Sequence, residues 1–167
     1  MRELAKNELG ELLHKNWMTH DGMWFLHCLA ECGIEKTNRV NRAAIRSMAA
    51  FEIPRCLEAL GLEPPRSLDE VADVINGIFS VLKADFMDFS CEFLEKDKLV
   101  FHMGRCFAHE GVKRMGVLEQ YECGIYERME AWFRGLGLEF QAEPRITNCL
   151  KLEGQDCRRV YRLALAS

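Results

Sequence analysis

The chain has 167 residues, 49% of them apolar and 29% charged, with a formal net charge of -4. That is enough apolar chain for one packed core, and it excludes a disordered polymer. The acidic balance leaves no electrostatic footprint for nucleic acid, and no apolar run is long enough to cross a bilayer.

The N-terminal segment Met1 to Lys6 has no apolar stretch of the signal-peptide kind, so a cytoplasmic protein is expected. Residues 3 to 61 read as helical. Leu4, Leu9, Leu12, Leu13 and Trp17 form an amphipathic stripe. Thr19-His20-Asp21 offers a cap before a second helix that ends at Cys32-Gly33. A third helix runs from about Glu35 to Leu60, with Pro54 kinking or dividing it and Gly61 stopping it. Ser67-Leu68-Asp69-Glu70 reads as a capping box for the helix carrying Val71, Val74, Ile75, Ile78, Phe79 and Leu82.

The period then changes from helical to alternating. Met87, Phe89, Cys91 and Phe93 predict a half-buried strand, Glu95 to Lys98 a turn, and Leu99, Phe101 and Met103 the return strand. A short helix is expected between Gly104 and Gly116. Residues 118 to 136 predict a helix with Leu118, Tyr121, Ile125, Met129, Trp132, Phe133 and Leu136 on one face. Leu138 to Ile146 predicts an edge strand, because Pro144 suits an edge, and Arg159 to Leu165 the closing strand. The order predicts an α+β fold in which N-terminal helices precede a β-hairpin–helix–strands unit with an antiparallel sheet. The division expected is a helical region over 1–66 and an α+β metal- and ligand-binding domain over 67–167.

Eight cysteines are many for a reducing compartment, where structural disulfides are not expected. Cys28, Cys32, Cys56 and Cys91 sit in apolar-periodic surroundings and read as core residues. Cys123, Cys149 and Cys157 differ. Cys149 and Cys157 bracket a glycine-containing turn, and Cys123 opens a helix upstream, off its apolar stripe. Two ligands from a loop and one from a helix is a common way to hold zinc. A position near a helix N-terminus is expected to lower the Cys123 pKa. Cys106, His102, His109 and Glu143 are candidates for a fourth ligand. Cys106 is favoured because Arg105-Cys106 ends the second hairpin strand.

Cys123, the run Cys149-Leu-Lys-Leu-Glu-Gly-Gln-Asp-Cys157 and the following Val160-Tyr161-Arg162-Leu163 resemble the 4-vinyl reductase domain and the sensory domains of phenol-responsive transcription activators. That resemblance implies a 4-vinyl reductase-like fold. It also implies zinc on the three cysteines and a glutamate three residues before the second of them. Ile146 stands there, which makes Cys106 the expected substitute. The whole chain resembles an uncharacterised bacterial and archaeal family related to the L-2-amino-thiazoline-4-carboxylic acid hydrolases. Asp21 to Leu26, Gly33-Ile34-Glu35, Asn41, Arg105-Cys106 and the C-terminal cysteines carry this second resemblance.

The leading expectation is a zinc-binding domain that binds or senses a hydrophobic small molecule. The Met and aromatic content of the first helices points to a roomy apolar interior. Trp24, His27, Cys28, Phe89, Phe101, Tyr126 and Trp132 are the expected pocket lining. The alternative implied by the second resemblance is a hydrolase of small cyclic amides or thiazolines, through metal-activated water or a cysteine nucleophile. A third expectation is a homodimer formed by the long helices. The chain has no Walker loop, GxGxxG or GxSxG motif.

Overall fold

The structure, a computed structural model, describes residues 2–145, 147–152 and 154–166. Helix α1 spans Lys6–Leu60 and is two rods joined at Gly33, whose φ of 73° and ψ of 169° belong to glycine. The break expected at Thr19-His20-Asp21 does not occur. The Thr19 hydroxyl instead donates to the Lys15 carbonyl at 2.8 Å, one turn back in the same helix. Pro54 is carried inside the second rod. Gly61 ends it in the left-handed conformation (φ 63°), and the Leu62 N–H reaches back to the Leu57 carbonyl at 2.9 Å.

A Cβ on Gly33 would meet nothing within 4 Å, so only the backbone resists substitution there. Gly33→Ala should therefore cost about 1–3 kcal/mol through strain alone. It should appear as a lower urea midpoint at an unchanged m-value. A midpoint at or above that of the native protein would show that the break is not needed.

Helix α2 spans Leu68–Leu82 and buries Val71, Val74, Ile75 and Ile78. Its capping box is only partly formed. The Ser67 side chain makes no cap bond, and Glu70 accepts from the Arg66 N–H at 2.8 Å rather than from Ser67. Strands β1 (Asp88–Glu95) and β2 (Lys98–Arg105) form the expected hairpin. Helix α3 (Phe107–Arg114) and a 3-10 turn at Leu118–Gln120 lead to helix α4 (Gly124–Gly135). Strands β3 (Leu138–Glu143) and β4 (Arg158–Leu165) complete an antiparallel sheet of order β1-β2-β4-β3. The fold is α+β, with β3 at an edge and Pro144 just past its end.

Alternation places Leu99, Phe101 and Met103 of β2 and Tyr161 and Leu163 of β4 in one core with α2, α4 and the second rod of α1. Tyr161 is fully buried between Leu99 and Ala142 on its neighbouring strands. Leu165, expected on the same side, is exposed at the strand end. The core draws on Ala49, Ile53, Cys56 and Leu57 as well as on the later elements, so it spans both sides of residue 66.

Helix α4 begins later than the periodicity predicts. Leu118 and Tyr121 precede it, and Cys123 is its N-cap residue. The Tyr121 hydroxyl accepts the Gly124 N–H at 3.0 Å. A Cβ on Gly124 would lie 2.7 Å from Ile45 Cδ1, so the absence of a side chain sets how closely α1 and α4 approach. Polar side chains then fasten the two helices. The Asn38 amide donates to the Gln120 carbonyl (2.7 Å), and Arg42 and Arg46 hold Glu127 (2.6 and 2.9 Å). Glu52 holds Arg128 and accepts from the Trp132 indole N–H (2.7 Å). Among the described residues, no helix is long and apolar enough to cross a membrane.

Candidate thiol cluster and its cleft

Four cysteines from three segments come near one another at one end of the sheet, and main-chain pairing explains how. The Cys157 carbonyl accepts the Met103 N–H at 2.9 Å, which ties the start of β4 to β2 just before Cys106. The Cys123 N–H donates to the Thr147 carbonyl at 2.7 Å, and Glu122 bridges Asn148. That short ladder brings Cys149 beside Cys123. Cys106 and Cys157 belong to the main core, Cys149 to a smaller cluster with Val112 and Tyr121, and Cys123 packs against both. The thiols sit on the seam between two apolar clusters. The loop between β3 and β4 supplies Cys149 and Cys157, and structureless loops of such length are usually functional.

Three of the sulfurs have a hydrogen-bonding neighbour. Cys106 caps α3 and accepts from the His109 N–H at 3.5 Å. Cys123 is the N-cap residue of α4, but its side chain makes no cap bond. The Tyr126 hydroxyl lies 3.1 Å from Cys157 Sγ. His109 Nδ1 is 3.5 Å from Cys149 Sγ.

The helix terminus does not lower the Cys123 pKa as expected. Burial pushes this thiol up to about 12. Burial likewise raises Cys106, Cys149 and Cys157. The nearby sulfurs add to it: Cys106 feels Cys157 and Cys149, and Cys123 feels Cys106 and Cys149. Burial, helped by Lys113 and Lys151, lowers the His109 pKa. Soft thiols with a neutral imidazole are the donor set that zinc selects. Among the described residues, no three His, Cys, Asp or Glu side chains are disposed to hold an ion as they stand. Ile146 lies outside the described residues. Of the other candidates for fourth ligand, His102 pairs with Asp156 at 2.8 Å and Glu143 is exposed at the end of edge strand β3.

A cleft of about 690 Å³ opens over the cluster, with Cys123, Cys149 and Tyr126 among its lining residues. Its other walls mix charged side chains with Leu150 and Leu152. Arg42 pairs with Glu122 and Glu127, and Arg159 with Glu130 at 2.8 Å. Arg159 is buried on β4, its guanidinium 4.9 Å from the Tyr126 ring centroid and its Nε donating to the Pro144 carbonyl at 3.1 Å. Burial raises Glu130, with Arg159 opposing. Arg145 stands on the loop and, among the described residues, has no ion-pair partner.

The expected pocket residues are placed in two separate groups. Phe89, Phe101, Tyr126 and Trp132 join Phe79 in a chain of ring contacts with centroids 5.3–6.4 Å apart. They pack on one another, and only Tyr126 also reaches the cleft. Trp24 and His27 are exposed on the first rod of α1, and Cys28 is half-buried there. Of the cysteines read as core, Cys56 is buried, Cys28 and Cys91 are half-buried, and Cys32 is exposed. Arg42, Glu127, Glu130 and Arg159 escape a sequence reading, because isolated charges on a helix or strand look like a solvated face. Arg159 in line with the inward Tyr161 and Leu163 was the available signal.

The molecule is thus an α+β domain with a group of four cysteines, two of which, Cys123 and Cys149, line a cleft with charged side chains. The chain belongs to the Family of unknown function (DUF6125), whose family model matches residues 2–153. The matched span includes Cys106, Cys123 and Cys149, and Cys157 follows it. No curated protein and no solved structure matches the chain.

Proposed function

We propose that this protein binds zinc through Cys106, Cys123, Cys149 and Cys157, and that the cleft above the metal receives a small polar molecule. The observation that carries the reading is the gathering of four thiols beside one imidazole. Cys106 accepts the His109 N–H, the Tyr126 hydroxyl lies against Cys157, and His109 Nδ1 faces Cys149. Donors aimed at sulfur stabilise a thiolate more than a thiol, and metal-bound thiolates use such outer partners. A cation at the centre offsets the mutual repulsion of four thiolates. A polar ligand is favoured over a hydrophobic one because the aromatic side chains are occupied with each other and the open space is lined by arginines and glutamates. Placement in the cytoplasm goes with this reading, since a reducing compartment keeps the thiols available.

Native protein purified without added metal should carry about one equivalent of zinc, with sulfur near 2.3 Å in its absorption spectrum. Cys123→Ser/Cys149→Ser should reduce that to below about a tenth of an equivalent. A native preparation already that poor in metal would sink the proposal.

One observation favours a second reading. Cys123 and Cys149 face the cleft, so a site closed by only three protein ligands would present its open position to a substrate. A hydrolase of thiazoline carboxylates or small cyclic amides is the specific form. The zinc-loaded protein should then turn over such a compound, and absence of turnover removes this form.

A further inference from the structure

We infer that the first rod of α1 is the two-fold interface of a homodimer, in which the rods of two chains lie antiparallel along their outer faces. The inference is independent of metal at the thiol cluster. None of the buried residues of α1 precedes Thr37. One side of this rod does rest on the body: Arg128 lies 5.0 Å over the Trp17 ring, and Phe25 meets Tyr121 with centroids 5.7 Å apart. The other side points to solvent and carries two apolar patches. Leu9, Leu12, Leu13, Met23 and Trp24 are all exposed, Leu13 by 59% and Trp24 by 62%. At 3.6 residues per turn they fall within a sector of roughly 120°. Asn16, His20 and His27 fall in the same sector, so Leu9, Leu12 and Leu13 form one patch and Met23 and Trp24 another, and exposed large apolar side chains grouped in this way mark an interface.

The chain exposes more surface than a compact monomer of its mass. A compact monomer of 19.3 kDa exposes about 8,500 Å². This chain exposes 10307 Å². The excess is more than the roughly 800 Å² that each partner buries in a standard interface.

The spacing along this side identifies the partner as a second copy. Lys6, Leu13, Trp24 and Glu31 share one edge of it, at separations of seven, eleven and seven residues. This order reads the same from either end. A two-fold axis between residues 18 and 19 sets Leu13 against Trp24 of the other chain and Lys6 against Glu31 of the other chain, twice each. Neither Lys6 nor Glu31 has an ion-pair partner among the described residues. An anionic membrane surface would require a basic polar face, whereas this rod also carries Glu8, Glu11, Asp21 and Glu31.

Sedimentation and light scattering of the whole protein at micromolar concentration should give twice the 19.3 kDa chain mass. Leu13→Glu/Trp24→Glu should give the monomer with unchanged helical circular dichroism. Lys6→Glu should weaken the dimer by about 10-fold, since two exposed pairs turn repulsive, and Lys6→Glu/Glu31→Lys should restore it. If the apolar double variant fails to fold, dilution of the native protein provides a separate test. Its tryptophan emission should shift to the red as the dimer dissociates, and the shift should be lost in Trp24→Phe. A native protein that stays monomeric to about 100 μM, far above the usual dissociation constants of specific interfaces, overturns the inference, whatever other protein it captures. A dimer indifferent to the charge reversal overturns the antiparallel arrangement.

Discussion

Glu127→Ala should destabilise the protein by about 2–3 kcal/mol, the largest loss expected from a single charged side chain. Only 8% of the Glu127 side chain is exposed, and its carboxylate takes Arg42 Nε at 2.6 Å and Arg46 Nη1 at 2.9 Å. Breaking a fully buried pair costs about 3–5 kcal/mol, mostly because the remaining charge is left without a partner. Here the arginine side chains keep 29% and 47% of their exposure, so water recovers part of the cost. The variant also loosens the contact between α1 and α4 that forms one wall of the cleft. Chemical denaturation measures the effect, and a loss under about 0.5 kcal/mol would place this network with ordinary surface pairs.

The same carboxylate has a pH signature. Burial works to raise the Glu127 pKa, but the bonds from Arg46 and Arg42 outweigh it and hold the group below its ordinary 4.5. A depressed pKa contributes stability that is present above the unfolded value and is lost as pH falls through the folded one. The native protein should therefore lose this share of its stability below about pH 4.5. Glu127→Gln should show a flatter acid limb. An identical limb in the two proteins would assign the acid sensitivity to other carboxylates.

If zinc occupies the thiol cluster, its removal should have the largest effect of any treatment. A ligand present at about 1,000 times its dissociation constant stabilises the fold by about 4 kcal/mol. For a chain of this size that is a melting shift of roughly 8–16 °C. A strong chelator should lower the melting temperature by this amount in the native protein and leave Cys123→Ser/Cys149→Ser unaffected. The β3–β4 loop should gain the most hydrogen exchange, because Cys149 and Cys157 are its two anchors and the sheet has its own core. An equal shift in both proteins would mean that the chelator acts elsewhere.

Local chemistry made much of this readable in advance. Gly33 and Gly61 mark helix ends because both residues sit at positive φ. The hairpin was evident because Phe89, Cys91 and Phe93, and then Leu99, Phe101 and Met103, alternate with polar neighbours. Where the reading failed, one local bond had replaced another. Thr19 could have capped a helix, yet its hydroxyl bonds the Lys15 carbonyl one turn back and the helix continues through it. Tyr121 fits the apolar face of α4, yet it precedes the helix, with its hydroxyl accepting the Gly124 N–H.

The sequence by itself determined the elements, the α+β class and the three C-terminal cysteines as a candidate group, because periodicity, turn residues and spacing are local properties. Cys106 was also favoured from the sequence, but how these segments approach is tertiary, set by the Met103–Cys157 and Cys123–Thr147 main-chain bonds between segments far apart in the chain. The tertiary structure also decided that the aromatic residues fill the core while arginines and glutamates line the open space. A side chain's environment is set by what packs against it, and no single strand or helix carries that information.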